Sequence, residues 1–199
     1  MTVAIVDARA GNTASVGFAL DRLGAKTVTT ADPEMIRSAE RVILPGVAAA
    51  GYVMGQLNAL GLTQVLRELK QPLLGICLGM QLLFDESEED GGAQCLGLIK
   101  GKVSKIEAGP DRPVPHMGWS KLTRRNADPL TDGVNDGDYV YFAHSFACDD
   151  TDATLAAADY GKSIPAIVRQ GNVMGCQFHP ERSAQVGARL LTNFLGLTC

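Results

Sequence analysis

Gly75-Ile76-Cys77-Leu78-Gly79-Met80-Gln81 is the stretch on which the reading of this sequence turns. Ahead of it, Pro72-Leu73-Leu74 opens an apolar run that predicts a short buried strand. Behind it, Leu82-Leu83-Phe84 continues as the apolar side of a helix. A cysteine therefore stands at a strand-to-helix turn with a glycine two residues to either side, the cysteine form of a nucleophile elbow. The sharp turn exposes its side chain at the carboxyl end of a strand, and small flanking residues let neighbouring backbone approach closely. A helix start behind the turn favours thiolate over thiol and offers free N–H groups to an oxyanion. A free cysteine more commonly packs as a small hydrophobe, so the elbow needs a base from elsewhere in the chain.

The totals bound what that chemistry serves. A chain of 199 residues suffices for one well-cored domain, expected here to span 1–199. A hydrophobic share of 46% and a charged share of 20% are those of a globular protein. The net charge of −4, with no basic block, argues against a nucleic-acid binder. Met1 to Asp7 lacks a basic start and its apolar run is too short for a signal peptide, and no stretch is long enough to cross a bilayer. The five cysteines, at 77, 95, 148, 176 and 199, form no C-x-x-C pair. Neither a disulfide framework nor a zinc site is indicated, no cofactor is called for, and a reducing, cytoplasmic setting fits.

The first half alternates strands and helices. Thr2 to Val6 reads as a buried strand ending at Asp7, and Asn12 or Thr13 as the cap of a helix closed by Gly24. Lys26 to Thr30 predicts an edge-like strand, Pro33 to Ala39 a short helix, and Arg41 to Leu44 a strand that stops at Pro45-Gly46. Val47 to Gly55 reads as a loop or weak helix, Gly61 to Leu69 as a helix, and Asp85 to Gly92 as an acidic loop. This rhythm argues for a parallel sheet with helices on both faces. After Leu98 strands dominate: Lys102 to Ile106, Trp119 to Leu122, Asp138 to Phe146, Thr154 to Ala158, Ile164 to Val168 and Val173 to Phe178, before a closing helix from Ala184 to Phe194. The fold class is therefore α/β, an open, mostly parallel mixed sheet flanked by helices with a strand-rich second half.

Only three histidines compete for the role of base: His116, His144 and His179. His179 ends the last predicted strand and precedes Pro180-Glu181. The carboxyl end of a strand is where open α/β sheets place their ligands. Pro180 restricts His179 to extended backbone, and Glu181 is close enough in sequence to orient the imidazole from behind, as in a nucleophile–base–orienter triad. His116 and His144 have no carboxylate nearby in sequence and read first as structural or substrate-loop residues.

Gly75–Gln81 together with Gln177-Phe178-His179-Pro180-Glu181 resembles the class I, triad-type glutamine amidotransferases. Pro115-His116-Met117-Gly118-Trp119, Tyr141-Phe142 before His144-Ser145, and Asp7 with Ala10-Gly11-Asn12 are more specific. They are similar to the glutaminase subunits of imidazole glycerol phosphate synthases, and the likeness spans nearly the whole chain. The resemblance implies a flavodoxin-like sheet and a Cys77–His179–Glu181 triad that hydrolyses L-glutamine through a thioester. It implies an oxyanion hole at Gly46-Val47 and Leu78, and glutamine contacts from Gln81, Glu89, Ser145 and Phe146. It also implies a heterodimer with a (β/α)8-barrel synthase subunit that takes the ammonia, with Asn12, Trp119, Tyr141 and Arg182 facing that partner. The barrel would convert a ribulosyl formimino intermediate of histidine biosynthesis to imidazole glycerol phosphate and an aminoimidazole carboxamide ribotide.

Four positions in three segments depart from the family pattern. Pro45-Gly46-Val47-Ala48 replaces Pro-Gly-Val-Gly in the oxyanion loop, Ala8-Arg9 stands where Tyr-Gly is usual, and Arg182 stands for a lysine. If the fourth loop position must reach positive φ, alanine there costs about 1 kcal/mol. The rival readings are a glutaminase of another pathway (pyridoxal phosphate, purine or tryptophan), a stand-alone cysteine hydrolase, and a silent regulatory module.

Overall fold

The computed structural model describes residues 1–197, and Cys199 lies outside the described residues. Strand β1 (Thr2–Val6) is followed by α1 (Thr13–Asp21), whose first turn is capped by Asn12 Oδ1 accepting from the Ser15 N–H at 3.2 Å. Next come β2 (Lys26–Thr30) and α2 (Pro33–Ser38), with Asp32 as N-cap and Pro33 at the position where a missing N–H costs nothing. Strand β3 (Arg41–Gly46), helices α3 (Ala50–Ala59) and α4 (Leu62–Glu68), strand β4 (Leu73–Cys77) and helix α5 (Leu78–Gln81) complete the first half.

The second half begins with two short strands, β5 (Glu86–Ser87) and β6 (Ala93–Gln94), and then β7 (Lys102–Lys105). Strands β8 (His116–Arg124), β9 (Tyr139–His144), β10 (Phe146–Cys148), β11 (Thr154–Asp159), β12 (Ser163–Gln170) and β13 (Val173–Cys176) follow, and α6 (Ala184–Gly196) closes the described chain. The main sheet has the order β2-β1-β3-β4-β13-β12-β11-β8-β9. Its first five strands are parallel and the rest antiparallel. A smaller sheet runs β10-β7-β5-β6.

Alternation in β1 explains the two-sided core. Ala4 and Val6 point into one apolar cluster with Ile36, Val53 and Leu66, while Val3 and Ile5 point into the other with Leu20, Leu190 and Phe194. Helices α2, α3 and α4 thus cover one face and α1 and α6 the other, as a buried parallel sheet requires. No helix among the described residues is long and apolar enough to cross a membrane.

Several boundaries differ from those read in the sequence. Strand β3 does not stop at Leu44 but runs through Pro45 to Gly46, because its ladder with β4 continues to the Gly46–Cys77 pair. The helix behind Cys77 is a single turn, with Leu82 as its C-cap, rather than continuing through Phe84. The segment 138–146 is two strands, not one: His144 pairs with His116 in the large sheet, and Phe146 pairs with Lys105 in the small one. Ser145 is the crossing point between sheets. The acidic stretch 85–92 is no plain loop, since β5 joins β6 and β7 and Glu89–Gly91 forms a 3₁₀ turn. The stretch after Val47 does hold a firm helix, capped by a residue far away in sequence.

Candidate active site

The elbow is built from close contacts that only glycine permits. A Cβ on Gly75 would lie 2.5 Å from the Gly79 carbonyl oxygen, and one on Gly79 would lie 1.8 Å from that of Leu44. The chain therefore folds back on itself tightly enough to force Cys77 to φ 54°, ψ −113°. Positive φ in a residue with a side chain is strained, and such strain clusters at functional sites. Strand β13 enters the sheet beside β4, with Cys176 level with Ile76, and so delivers His179 to the same sheet end as Cys77.

His179 Nδ1 lies 2.9 Å from Glu181 Oε1, and both side chains are largely buried. Burial by itself pushes the His179 pKa down. Hydrogen bonding to Cys77 and Glu181 and the charges of both outweigh it, so the value rises from 6.5 to about 10. The second carboxylate oxygen, Glu181 Oε2, is buried without a hydrogen-bond partner. At the elbow, Cys77 Sγ sits 3.8 Å from the Ala143 carbonyl oxygen, and Gln177 Nε2 donates to it at 3.7 Å.

Cys77, His179, Glu181 and Ala143 line a cleft of about 610 Å³. Of the residues singled out in the sequence, it gathers Cys77, His179 and Glu181, then Val47 and Leu78, then Gln81, Glu89, Ser145 and Phe146, and at its rim Asn12 and Arg182. Gly46 lies beneath it, buried against Leu78. Trp119 and Tyr141 lie outside the cleft lining but adjoin it. Trp119 meets the Tyr141 ring edge-on at 6.0 Å between centroids, and the Arg182 guanidinium sits 4.6 Å over the Tyr141 ring. Together they make one aromatic and cationic rim. Arg9, where the resemblance would have glycine, takes φ 55°, held by its N–H donating to Asp7 Oδ1 at 2.9 Å.

Glu89 has a second contact that the sequence did not foretell. Its carboxylate accepts the Ala50 N–H at 2.7 Å and so caps α3, which otherwise has no side-chain cap. Burial raises its pKa, partly opposed by that hydrogen bond. Two further residues escaped sequence reasoning. Gln177 is fully buried and joins Gln81 to the cysteine, with Gln81 Nε2 donating to Gln177 Oε1 at 3.0 Å. Ser183 Oγ donates to the His179 carbonyl at 2.7 Å and accepts the Tyr141 N–H at 2.9 Å, tying the histidine turn to β9. Gln177 stood inside the quoted motif, a signal for its place though not for its contact. Ser183 carried none beyond a helix-cap residue type.

An elbow cysteine, a histidine–glutamate pair and an amide-lined cleft on this sheet define a class I glutamine amidotransferase, and the family model for "Glutamine amidotransferase class-I" matches residues 4–196. Imidazole glycerol phosphate synthase subunit HisH of Xylella fastidiosa (strain Temecula1) is 50% identical over 193 residues, covering 97% of this chain and 96% of its own. Subunit HisH 2 of Legionella pneumophila (strain Paris) is 49% identical over 199 residues, covering 99% and 100%. A solved glutamine amidotransferase structure superposes with TM-score 0.75 at 22% identity, over 97% of this chain and 96% of that one, which speaks for the fold. The chain belongs to the class I glutamine amidotransferases and, within them, to the HisH glutaminase subunits of imidazole glycerol phosphate synthase in histidine biosynthesis.

Proposed function

We propose that residues 1–199 act as one glutaminase domain in which Cys77, His179 and Glu181 are the catalytic residues. The single observation that carries this is the His179–Glu181 contact at 2.9 Å, on the same cleft that Cys77 lines. An amide is a poor electrophile, so the attacking group is the thiolate and the departing nitrogen needs an acid. The Cys77 sulfur adds to the side-chain carbonyl carbon of glutamine. The carbonyl oxygen becomes an oxyanion, received by the N–H groups of Leu78 and Val47 over Gly46, each good donor contributing about 3 kcal/mol. The carbon–nitrogen bond breaks as His179 passes its proton to the nitrogen, and ammonia leaves. Water then attacks the glutamyl thioester, giving up a proton to His179, and glutamate and free Cys77 are regained.

Gln81, Glu89, Ser145 and Phe146 hold the rest of the substrate. Glu89 is the anionic group for the substrate's ammonium, which would compete with the Ala50 N–H for the carboxylate. The partner is a (β/α)8-barrel synthase subunit docked as a heterodimer on the rim of Asn12, Trp119, Tyr141 and Arg182. The exposed Met117, Val47 and Phe18 beside that rim support an apolar contact. It takes the ammonia into the ring-forming step that yields imidazole glycerol phosphate and the carboxamide ribotide.

The test incubates the protein with glutamine, alone and with the barrel subunit and its ligand, and measures glutamate. Release that rises sharply with the barrel and vanishes in Cys77→Ala is the expected result. Strong hydrolysis without the barrel would instead make this a stand-alone hydrolase.

A further inference from the structure

Two histidines that the triad does not use are buried together beside the cleft. His116 and His144 are direct cross-strand partners in β8 and β9, only 2% and 6% exposed. Burial pushes both pKa values down to about 4, so both rings are neutral at neutral pH. Their tautomers then follow from their neighbours. His144 Nδ1 lies 2.8 Å from the Phe146 carbonyl oxygen, which only accepts, so this nitrogen carries the proton. His144 Nε2 is left as acceptor for His116 Nδ1–H at 3.0 Å. His116 Nε2 in turn accepts from Ser120 Oγ at 2.8 Å. Phe142 and Tyr160 stack on the His116 ring at 4.7 and 3.9 Å and hold its plane.

The Phe146 carbonyl is where this chain meets the site. Gln81 Nε2 donates to that same oxygen at 2.8 Å and to Gln177 Oε1, and Gln177 Nε2 donates to Cys77 Sγ. A connected series of hydrogen bonds thus links Ser120 to the Cys77 sulfur, its two halves converging on the Phe146 carbonyl oxygen, which accepts from both His144 and Gln81. We propose that the His116–His144 pair is a positioning element of the glutamine site: it fixes the Phe146 carbonyl and, through it, the Gln81 amide and the Gln177 amide that donates to the Cys77 sulfur. The proposal rests on the glutaminase reading above. Along β8 the exposed Met117 and Trp119 alternate with the buried pair's side, so one strand carries both the rim and the positioning chain.

Two substitutions separate hydrogen bonding from packing. His116→Phe keeps the ring stack and removes the donor, leaving His144 Nε2 an unpaired buried acceptor. His116→Asn keeps a donor near the Nδ1 position and loses the stack. In the complex with the barrel subunit, His116→Phe is expected to lower kcat/KM for glutamine about tenfold, mostly through KM, and His116→Asn to recover most of that loss. Wild-type kinetics in His116→Phe, or a larger loss in His116→Asn than in His116→Phe, would overturn the proposal in favour of packing alone. A wild-type complex that released no glutamate would overturn the glutaminase reading instead. The unaltered protein supplies a second readout that does not depend on a folded variant: its histidine ¹⁵N spectrum. Neutral Nδ1–H tautomers at both positions between about pH 6 and 8 are expected, and an imidazolium or an Nε2–H form at either overturns the pair.

Discussion

Gly46 and Cys77 are directly paired as the last rung of the parallel ladder between β3 and β4. The proposed oxyanion loop and Cys77 therefore leave the sheet side by side, and what the loop does next depends on Val47 and Ala48. Ala48 is not among the residues at positive φ, so the loop rests in a conformation that alanine tolerates. If hydrolysis requires the fourth position to turn left-handed, Ala48 opposes that turn by about 1 kcal/mol, roughly a factor of five. Ala48→Gly is expected to raise glutamine turnover without the barrel about fivefold and to shrink the activation ratio accordingly. Unchanged turnover with and without the synthase subunit would sink the idea.

Gly79 is the tightest joint in the elbow. A methyl group there would stand 1.8 Å from the Leu44 carbonyl oxygen, a backbone atom that cannot swing away. Gly79→Ala should destabilise the fold by about 3 kcal/mol, with β3 and β4 forced apart. Denaturant unfolding measures the loss, and a variant of unaltered midpoint would mean that the elbow relaxes more freely than its contacts allow.

Glu181 is one of the two groups that raise the His179 pKa. Glu181→Gln is expected to drop the His179 pKa well below about 10 and to lower glutamine hydrolysis about a hundredfold. The linkage to stability has a definite sign. A histidine whose pKa is higher folded than unfolded stabilises the fold fully below its unfolded value of 6.5, and the stabilisation is lost as pH rises through about 10. Unfolding midpoints between neutral and alkaline pH should therefore fall more steeply in the wild type than in Glu181→Gln. NMR titration of the His179 ring checks the pKa itself, and an unmoved value would refute the assignment of Glu181.

Arg9 sits in the left-handed region with φ 55°, steadied by the bond from its N–H to Asp7. Arg9→Gly removes the steric cost but gives the unfolded chain more freedom. The net expectation is a stabilisation of about 0.5 kcal/mol, visible as a small upward shift in thermal midpoint. A lowered midpoint would show that the arginine side chain contributes packing that outweighs its backbone strain.

Much of this protein could be read locally. The elbow was legible because Gly75 and Gly79 flank Cys77 within one turn, where sterics alone dictate residue type. The His179–Glu181 contact was legible because two residues separate the partners. The strand–helix rhythm of the first half was legible because apolar spacing reports each element separately, and Asn12 announced its helix. Where periodicity faltered, as across Ser145, one predicted strand became two in different sheets.

The sequence by itself picked out Cys77, His179 and Glu181 as the proposed nucleophile, base and orienter, and the kind of sheet that carries them, since each is written in neighbouring residues. Only the tertiary structure decided that Glu89 caps α3, that Gln177 reaches the Cys77 sulfur, that Ser183 ties the histidine turn to β9, and that His116 and His144 face one another. Those contacts depend on β13 lying beside β4 and on β8 pairing with β9 in one register. Strand order and register come from burying both faces of the sheet at once, a condition on the whole chain that no local stretch records.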